Sequence, residues 1–579
     1  MKNFLTLAGL TFLIILNSCS TTEKSAKRQK NNLYQNTTLS KIIKVKPEHR
    51  TFITPEGELK ALFVFVQFDN DSTFKSKYWK YDTLNLPDWT KNIVNRNSGN
   101  YFPYKNLSQY YFEMSRGKFI ITGDVYPKLV RPKYDESHYK NISEVNYEIL
   151  KRLDDKIDFS KYDNWTKKRD NTFIKKPDGK VDMIYLIYRN FSNRLFFNNG
   201  WTGIAHLYLT KDIKTNDNVT IKTGRLDKGS GIVIRGGKNG FYWLKYVAAH
   251  ELGHFLFGAG HIENVTDLAL MTGGPVWNAS RGMHSWERNY LGWINYRNAV
   301  LNKDSSYILS DYITTGDALR LKLNEKEWFV LENHRHLSVH DKSGDKGIYI
   351  YHITHASSYS PKITVECADG NWDFKIDKQK HKLIKLKPNL YGQNEMNFRK
   401  MVNGKNYACF KPLYKSNAAW GDKNDAFDLT YNNVFSPVSN PSSKNKSKIN
   451  FTIEVVSKKG KNYKVKFYFK NPYEGKPSKP YILKTKINKR NFPTIIWKKS
   501  KEPDLKLYKI YISTKPKNKS MKFQLLETVP VKKQINNLIK WTDTKHRING
   551  LSSYYIYTIS AVDKDNHESV LAEPVKVYR

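Results

Sequence analysis

The chain has 579 residues, of which 39% are hydrophobic and 14% aromatic, and its formal net charge is +43. This length exceeds what one hydrophobic core normally serves, and the composition excludes an intrinsically disordered chain. The lysines are spread from Lys24 to Lys576 without a recognisable nucleic-acid-binding module. We therefore expect a lysine-rich surface and no nucleic acid partner, with binding to an acidic polymer as the alternative use of the charge.

The N-terminus predicts an export signal. An apolar run from Phe4 to Leu16 is too short to span a bilayer comfortably, and Asn17-Ser18-Cys19 follows it. This arrangement resembles a bacterial lipoprotein signal, in which residues 1–18 are removed and Cys19 carries the lipid. An ordinary secretory signal is the alternative. The pattern favours an exported cell-envelope lipoprotein, attached to the outer membrane or the cell surface, with residues 19–54 as a tether.

Strands and helices interleave in the region that follows, over residues 55–300, which predicts an α/β domain. The apolar runs at 58–71 and 175–190 predict buried strands, and a Pro-Asp-Gly turn precedes the second strand. Residues 106–127 predict a helix that ends near Gly117, followed by a strand. Residues 241–258 predict a strongly apolar helix.

Short alternating segments dominate after this region and predict β-structure. Residues 301–470 form a predicted β-rich companion domain, most simply a sandwich, and residues 471–480 are a Pro/Gly linker. Residues 481–579 contain seven predicted short strands and resemble a fibronectin type III module. The chain is thus predicted to be a multidomain α+β protein.

Two cysteines besides Cys19 occur in the sequence, at Cys367 and Cys409. In an exported protein they could form a disulfide, and two buried thiols are an equal alternative.

The segment HELGHFLFGAGH, from His250 to His261, carries the clearest chemical signal. His250 and His254 are four residues apart on a helix, so both rings can bind one metal ion. Glu251 is offset around the helix and can reach a water molecule instead. The flanking YVAA and FLF are apolar, where such groups are costly to bury unless they are paired or bound to metal. The pattern predicts catalytic Zn²⁺, with Glu251 as general base and acid.

The third ligand is less defined by the sequence. Gly258 and Gly260 can break the helix and turn the chain back, which makes His261 the first candidate. Glu263 and Asp267 are alternatives, because carboxylates also bind zinc.

The downstream segment LALMTGGPVWNASRGMHSWERNYLGWI, residues 268–294, resembles the one that follows the active helix in immune inhibitor A-type zinc metallopeptidases. These are secreted bacterial endopeptidases. ALFVFVQFDND, LSQYYFEMSRGKFIITGDVYP and DGKVDMIYLIY are similar to further blocks of that family, in the same order, so the resemblance covers roughly residues 55–470. It implies a zincin-like catalytic domain at 55–300, a protein or peptide substrate, and a turn at Met271 beneath the zinc. The chain departs from the family pattern at His261, near which the family usually has an aspartate.

The resemblance also implies structural Ca²⁺. Asp178 and Asp182 in the DGKVD turn are candidate ligands, and a tight turn without metal is the alternative. His284, Tyr290 and Arg281 are candidates for stabilising the transition state, and their spacing does not rank them. A non-catalytic cell-surface binding protein on a protease-derived scaffold is the alternative function. Nothing in the sequence bears on the oligomeric state.

Overall fold

The computed structural model describes residues 42–578 except 83, 95–105, 198–201, 237–239, 259, 263–264, 266–267, 272–281, 343, 357–360, 369–373, 378–381, 386–398, 403–404, 409–424, 514–521, 532–536 and 551–552. The predicted signal peptide, Cys19, the tether as far as residue 41, and Cys409 lie outside the described residues. Cys367 is buried. A Cys367–Cys409 disulfide and two buried thiols therefore stay equal alternatives.

Helices are few in the described part of the chain: α1 (Leu107–Met114), α2 (Ile142–Leu153), α3 (Gly240–Phe257), α4 (Ser285–Tyr290) and α5 (Tyr312–Thr315). The predicted helices at 106–117 and 241–258 correspond to α1 and α3. Asn106 begins α1 with a capping box to Gln109, and Gly258, at φ 88°, follows the end of α3 in a conformation that favours glycine. None of the described helices is long and apolar enough to cross a membrane.

The strands of the first region form a central mixed sheet and two small separate sheets. They are β1 (Ile42–Lys44), β2 (Gly57–Val66), β3 (Phe119–Val125), β4 (Thr166–Lys167), β5 (Thr172–Ile174), β6 (Ile184–Tyr188), β7 (Gly203–Ile204), β8 (Ile213–Lys214), β9 (Thr220–Ile221) and β10 (Gly231–Arg235). The central sheet has the order β3-β2-β6-β10-β7, and β1-β5-β4 and β8-β9 form small separate sheets. The central strands are parallel except for β7, which pairs antiparallel with β10 at the edge.

The continuous apolar sequence of β2 follows from burial on both faces of this sheet. Phe63 and Phe65 belong to the core that contains α1 and α3, whereas Leu62 and Val64 belong to the core that contains α2. The sheet is therefore a middle layer, and α3 packs on one of its faces.

The companion region begins with β11 (Arg297–Asn298), β12 (Ser305–Leu309), β13 (Leu319–Asn324), β14 (Glu327–His334), β15 (Gly347–Thr354) and β16 (Lys362–Val365). It continues with β17 (Phe374–Asp377), β18 (Lys382–Lys385), β19 (Arg399–Val402), β20 (Lys405–Ala408), β21 (Val434–Phe435), β22 (Thr452–Lys459) and β23 (Asn462–Tyr468). Two larger sheets, β11-β13-β14-β15-β16 and β12-β23-β22-β21, share one hydrophobic core, and β17-β18 and β19-β20 are hairpins. The predicted β-rich companion is thus a two-sheet arrangement.

The last region contains β24 (Ile482–Ile487), β25 (Pro493–Lys498), β26 (Leu505–Ser513), β27 (Gln524–Pro530), β28 (Leu538–Thr542), β29 (Tyr554–Asp563) and β30 (Val575–Tyr578). A three-stranded sheet, β24-β25-β28, and a four-stranded sheet, β27-β26-β29-β30, share a core that contains Trp497 and Tyr557. Seven strands therefore lie where seven were expected.

The first region and the companion region are joined by a continuous core. The cluster that contains Leu252 and Phe255 of α3 also contains Tyr349, Tyr351 and Ile353 of β15. The sequence pattern changes near residue 301 from interleaved helices and strands to short strands, but the hydrophobic core continues across this point.

A buried ionic cluster reinforces this junction. The His334 ring contacts Asp341 through Nδ1 at 2.8 Å and Glu332 through Nε2 at 3.0 Å, and none of the three side chains is more than 1% exposed. The other oxygen of Glu332 accepts a hydrogen bond from the Ser285 N–H of α4. Burial disfavours the imidazolium, but the Asp341 and Glu332 carboxylates outweigh burial and raise the pKa of His334 to about 9.

We expect the His334→Leu substitution to destabilise the protein by about 3–5 kcal/mol, because it removes the cation that the buried Asp341 and Glu332 carboxylates share. The pKa of His334 is higher in the folded protein than its usual 6.5. The stabilisation is therefore complete below pH 6.5 and is lost as the pH rises through about 9. Urea unfolding measured between pH 6.5 and 9.5 should show that the difference in the free energy of unfolding between the wild type and the variant shrinks as the pH rises. The control His138→Leu, at an exposed position, should show no such change. A difference in the free energy of unfolding between wild type and His334→Leu that does not vary with pH would contradict the ion pairing of His334 with the two carboxylates.

Candidate metal centre

Helix α3 places two histidines on the same face of a buried element. Leu252, Phe255 and Leu256 on this helix are at most 1% exposed, so α3 is anchored by its apolar residues. His254 is 9% exposed and His250 is half-buried, so their rings lie at the boundary between the core and the surface. His261, after the Gly258 turn, is exposed and joins them.

The three histidine rings converge on one point. Each offers one ring nitrogen within 4.8 Å of the others, and the Nε2 atoms of His250 and His261 are 3.2 Å apart. The Nδ1 atoms of the helical pair are engaged elsewhere. His250 Nδ1 donates to the Leu270 carbonyl at 2.8 Å, and His254 Nδ1 donates to the Gly258 carbonyl at 3.2 Å. Because Nδ1 carries the proton in both rings, Nε2 holds the lone pair that a metal requires.

This donor set fits Zn²⁺. Two nitrogens bound to one tetrahedral zinc at roughly 2.0–2.1 Å are about 3.3 Å apart, close to the observed separation. Three imidazoles leave the fourth position for water or substrate, as in catalytic sites. Burial, followed by the charge of His261, lowers the pKa of His254 to about 4, so its ring is neutral at pH 7. Glu263 and Asp267, the alternative third ligands, lie outside the described residues.

Glu251 lies beside the histidines, against the edge strand β7. Its side chain is nearly buried, at 7% exposure of the residue, and it accepts a hydrogen bond from the Ala205 N–H. Burial raises the pKa of Glu251 to about 8. A Cβ atom at Gly203 would lie 2.8 Å from Glu251 Oε1 and 2.7 Å from Val247 Cγ1. The edge strand can therefore approach the carboxyl group only because residue 203 is glycine.

Met271 packs against α3 between the two histidines. Its side chain is 1% exposed, and its sulfur lies 2.3 Å from where a Cβ of Gly253 would be. The turn that contains Met271 also supplies the Leu270 carbonyl that holds His250. The turn that the family resemblance implied is thus in contact with the helix of the candidate site.

Two of the three candidates for transition-state stabilisation, His284 and Tyr290, have structural contacts. His284 is the N-cap of α4 and accepts the Glu287 N–H at 3.2 Å through Nδ1. The Tyr290 hydroxyl accepts the Arg50 N–H at 2.8 Å, and its ring stacks on His49 at 4.0 Å. These are the contacts of a helix cap and of an anchor for the N-terminal segment. Arg281 lies outside the described residues.

The candidate calcium ligands organise a turn. Asp182 accepts the backbone N–H groups of Asn164 at 2.6 Å and Trp165 at 3.1 Å, and burial raises the pKa of its carboxyl group. Asp178 forms an ion pair with Lys180 at 2.9 Å. Within the described residues, the three histidines form the one group of three or more metal-ligating side chains close enough to share an ion.

Sequence reasoning missed the parts of the site that are not reactive side chains. The carbonyls of Leu270 and Gly258 act through the backbone, which no residue type reveals. Glu287, whose carboxylate accepts the Leu270 and Met271 N–H groups, could have been found from its position three residues after the N-cap of α4.

No protein-family model and no curated protein match the sequence. Among solved structures, a pectate lyase from Pectobacterium carotovorum is 15% identical over 17% of this chain and 26% of its own, with a TM-score of 0.12. A spore cortex lytic enzyme from Clostridium perfringens is 16% identical over 21% and 34%, with a TM-score of 0.15. A beta-1,2-glucanase from Parabacteroides distasonis is 14% identical over 48% and 37%, with a TM-score of 0.13. The chain thus spans only about a quarter to a third of the first two, and TM-scores this low carry no argument.

We expect the purified chain to bind one zinc ion, and His250→Ala, His254→Ala and His261→Ala each to weaken binding, because each change leaves two of the three histidine ligands. His261→Ala should weaken the affinity by more than the ~10–100-fold that loss of an outer-shell partner costs. Metal content and chelator competition measure both effects, with the exposed His138→Ala as control. Unchanged affinity in His261→Ala would point to Glu263 or Asp267 as third ligand, which the same substitution at each position would test.

Proposed function

We propose that this chain is an exported, lipid-anchored zinc-dependent endopeptidase that hydrolyses protein or peptide bonds. The observation that carries the proposal is the convergence of His250, His254 and His261 with Glu251 buried alongside them. Three imidazole nitrogen ligands beside a glutamate are the combination that zinc hydrolases use.

The residues divide the chemistry between them. Zinc held by the three histidines supplies Lewis acidity toward a water molecule and the scissile carbonyl. In its ionised form, Glu251 takes a proton from the attacking water and returns it to the leaving nitrogen. Its position, offset from the two helical histidines, keeps the carboxylate free of the metal and available to the water.

The edge strand β7 supports a peptide as the substrate. It lies at the end of the central sheet, and the segment that contains it contacts Glu251 through Gly203 and Ala205. An extended peptide that adds to the outer edge of β7 would pass its backbone beside the carboxylate. Side chains of such a peptide would then alternate between the cleft and solvent.

The remaining regions fit a cell-envelope protein. We propose that the α/β region is zincin-like, as the family resemblance implies, and that Cys19 carries a lipid. The arrangement of three and four strands around Trp497 supports a fibronectin type III-like module at the C-terminus. Calcium at Asp178 and Asp182 remains part of the proposal by resemblance.

We expect Glu251→Gln to retain zinc but to lose activity by about 10²–10⁴-fold, the usual contribution of general acid–base catalysis. The amide is close in size to the carboxyl group but cannot accept a proton. The measurement is cleavage of a denatured protein and of a mixed peptide library, with zinc content determined on the same samples.

Equal cleavage by the two forms would refute the role of Glu251. If zinc is bound but neither form cleaves any peptide in the library, the non-catalytic binding protein becomes the better account.

A further inference from the structure

The turn formed by Leu270 and Met271 uses all four of its backbone polar groups at the candidate metal centre. The Leu270 carbonyl accepts from His250 Nδ1 at 2.8 Å. The Met271 carbonyl accepts from the N–H of Ile262, the residue after His261, at 2.7 Å. One turn therefore holds two of the three histidine ligands, which come from separate segments of the chain.

Both amide groups of this turn donate to a single side chain. The Leu270 N–H reaches Glu287 Oε2 at 3.1 Å, and the Met271 N–H reaches Oε1 at 2.7 Å. The His284 N–H also donates to Oε2, at 3.2 Å. Glu287 is fully buried, so this carboxylate is satisfied by backbone donors and not by water.

We propose that Glu287 is a positioning residue for the metal centre, and that it acts through the Leu270–Met271 turn on His250 and His261. The inference rests on the zinc site of the proposed function and adds to it a residue that does not touch the metal. A buried carboxylate that grips two consecutive N–H groups fixes the direction of both carbonyls, because each peptide unit is planar. Those carbonyls set the orientation of the His250 ring and the path of the chain at His261.

Glu287 is itself held rigidly. The neighbouring Arg288 donates to the carbonyls of Met114, Tyr312 and Ile313, at 2.8, 2.6 and 3.2 Å. The Ser285 N–H donates to Glu332 of the companion sheet. These contacts fix the position of helix α4. Glu287 therefore holds the Leu270–Met271 turn in place, and that turn holds the His250 ring and the chain next to His261.

A capping role alone is the competing explanation, because Glu287 also completes the capping box of α4 with His284. Capping affects the stability of the helix, whereas positioning affects the affinity and the geometry of the bound metal. The Glu287→Gln substitution separates the two roles. The amide keeps one acceptor oxygen, but its NH₂ group would face a backbone N–H donor, so the grip on the turn is lost.

The experiment measures zinc affinity by competition with a chelator, and the visible absorption spectrum of the Co²⁺-loaded protein, for the full chain. We expect Glu287→Gln to bind zinc about 10–100-fold more weakly than the wild type, and to show altered Co²⁺ bands. Glu454→Gln is the matched control. Glu454 is a buried carboxylate in the companion region, 4% exposed, which accepts the Tyr468 hydroxyl at 2.7 Å. This control should lose stability without a change in affinity or spectrum.

Wild-type affinity and spectrum in a folded Glu287→Gln protein would overturn the inference. If that variant does not fold, Glu287→Asp is the second variant, because it keeps the charge but has a shorter side chain. We expect Glu287→Asp to bind zinc more weakly than the wild type. An affinity equal to the wild type would overturn the inference here too. Failure of the wild type to bind zinc through His250 would instead refute the proposed function, so the two failures are distinguishable.

Discussion

The candidate site depends on where two protons lie. The carbonyls of Leu270 and Gly258 each occupy Nδ1 of a helical histidine, and this leaves the Nε2 lone pairs directed at a common point. With the opposite tautomer, the same rings at the same distances would present N–H groups to one another. The ability of both rings to offer an Nε2 lone pair to one ion thus follows from backbone acceptors that come from two different turns.

Close approach is the second constraint, and two glycines permit it. Helix α3 touches the edge strand at Gly203 and the Met271 sulfur at Gly253, and a Cβ atom at either position would lie within 2.8 Å of its neighbours. The helix is therefore enclosed by the sheet on one side and by the turn on another. A carboxyl group introduced into such a space is desolvated, which is why Glu251 has a raised pKa. The same packing therefore positions Glu251 and raises its pKa.

Sequence reasoning reached the parts of the site that follow from local periodicity. The four-residue spacing of His250 and His254 predicts one helical face, and the apolar flanks predict burial, so the helix and its two histidines could be located without coordinates. The position of His261 depends on a turn whose path is set by Met271, ten residues further along the chain, so the sequence left alternatives open. His284 and Tyr290 show the limit of spacing arguments. Both are close to the site in sequence, yet one caps a helix and the other anchors the N-terminal segment.

The domain boundary predicted near residue 301 does not separate two independently packed cores. The sequence pattern changes there because the secondary structure changes from mixed α/β to mainly antiparallel β, and periodicity detects that change. Packing follows contacts between distant residues, which periodicity does not detect. Helix α4 lies at the junction, joined to the companion sheet through Ser285 and Glu332 and to the histidines through Glu287. If the companion region with its helix α5 were removed, α4 would lose the Glu332 acceptor and the carbonyls of Tyr312 and Ile313 that hold Arg288. The geometry at His250 would then be set by a helix with a buried cation and no acceptors for most of its hydrogen bonds, a costly state in a buried environment. The two regions are therefore better understood as one packed unit than as two independent domains.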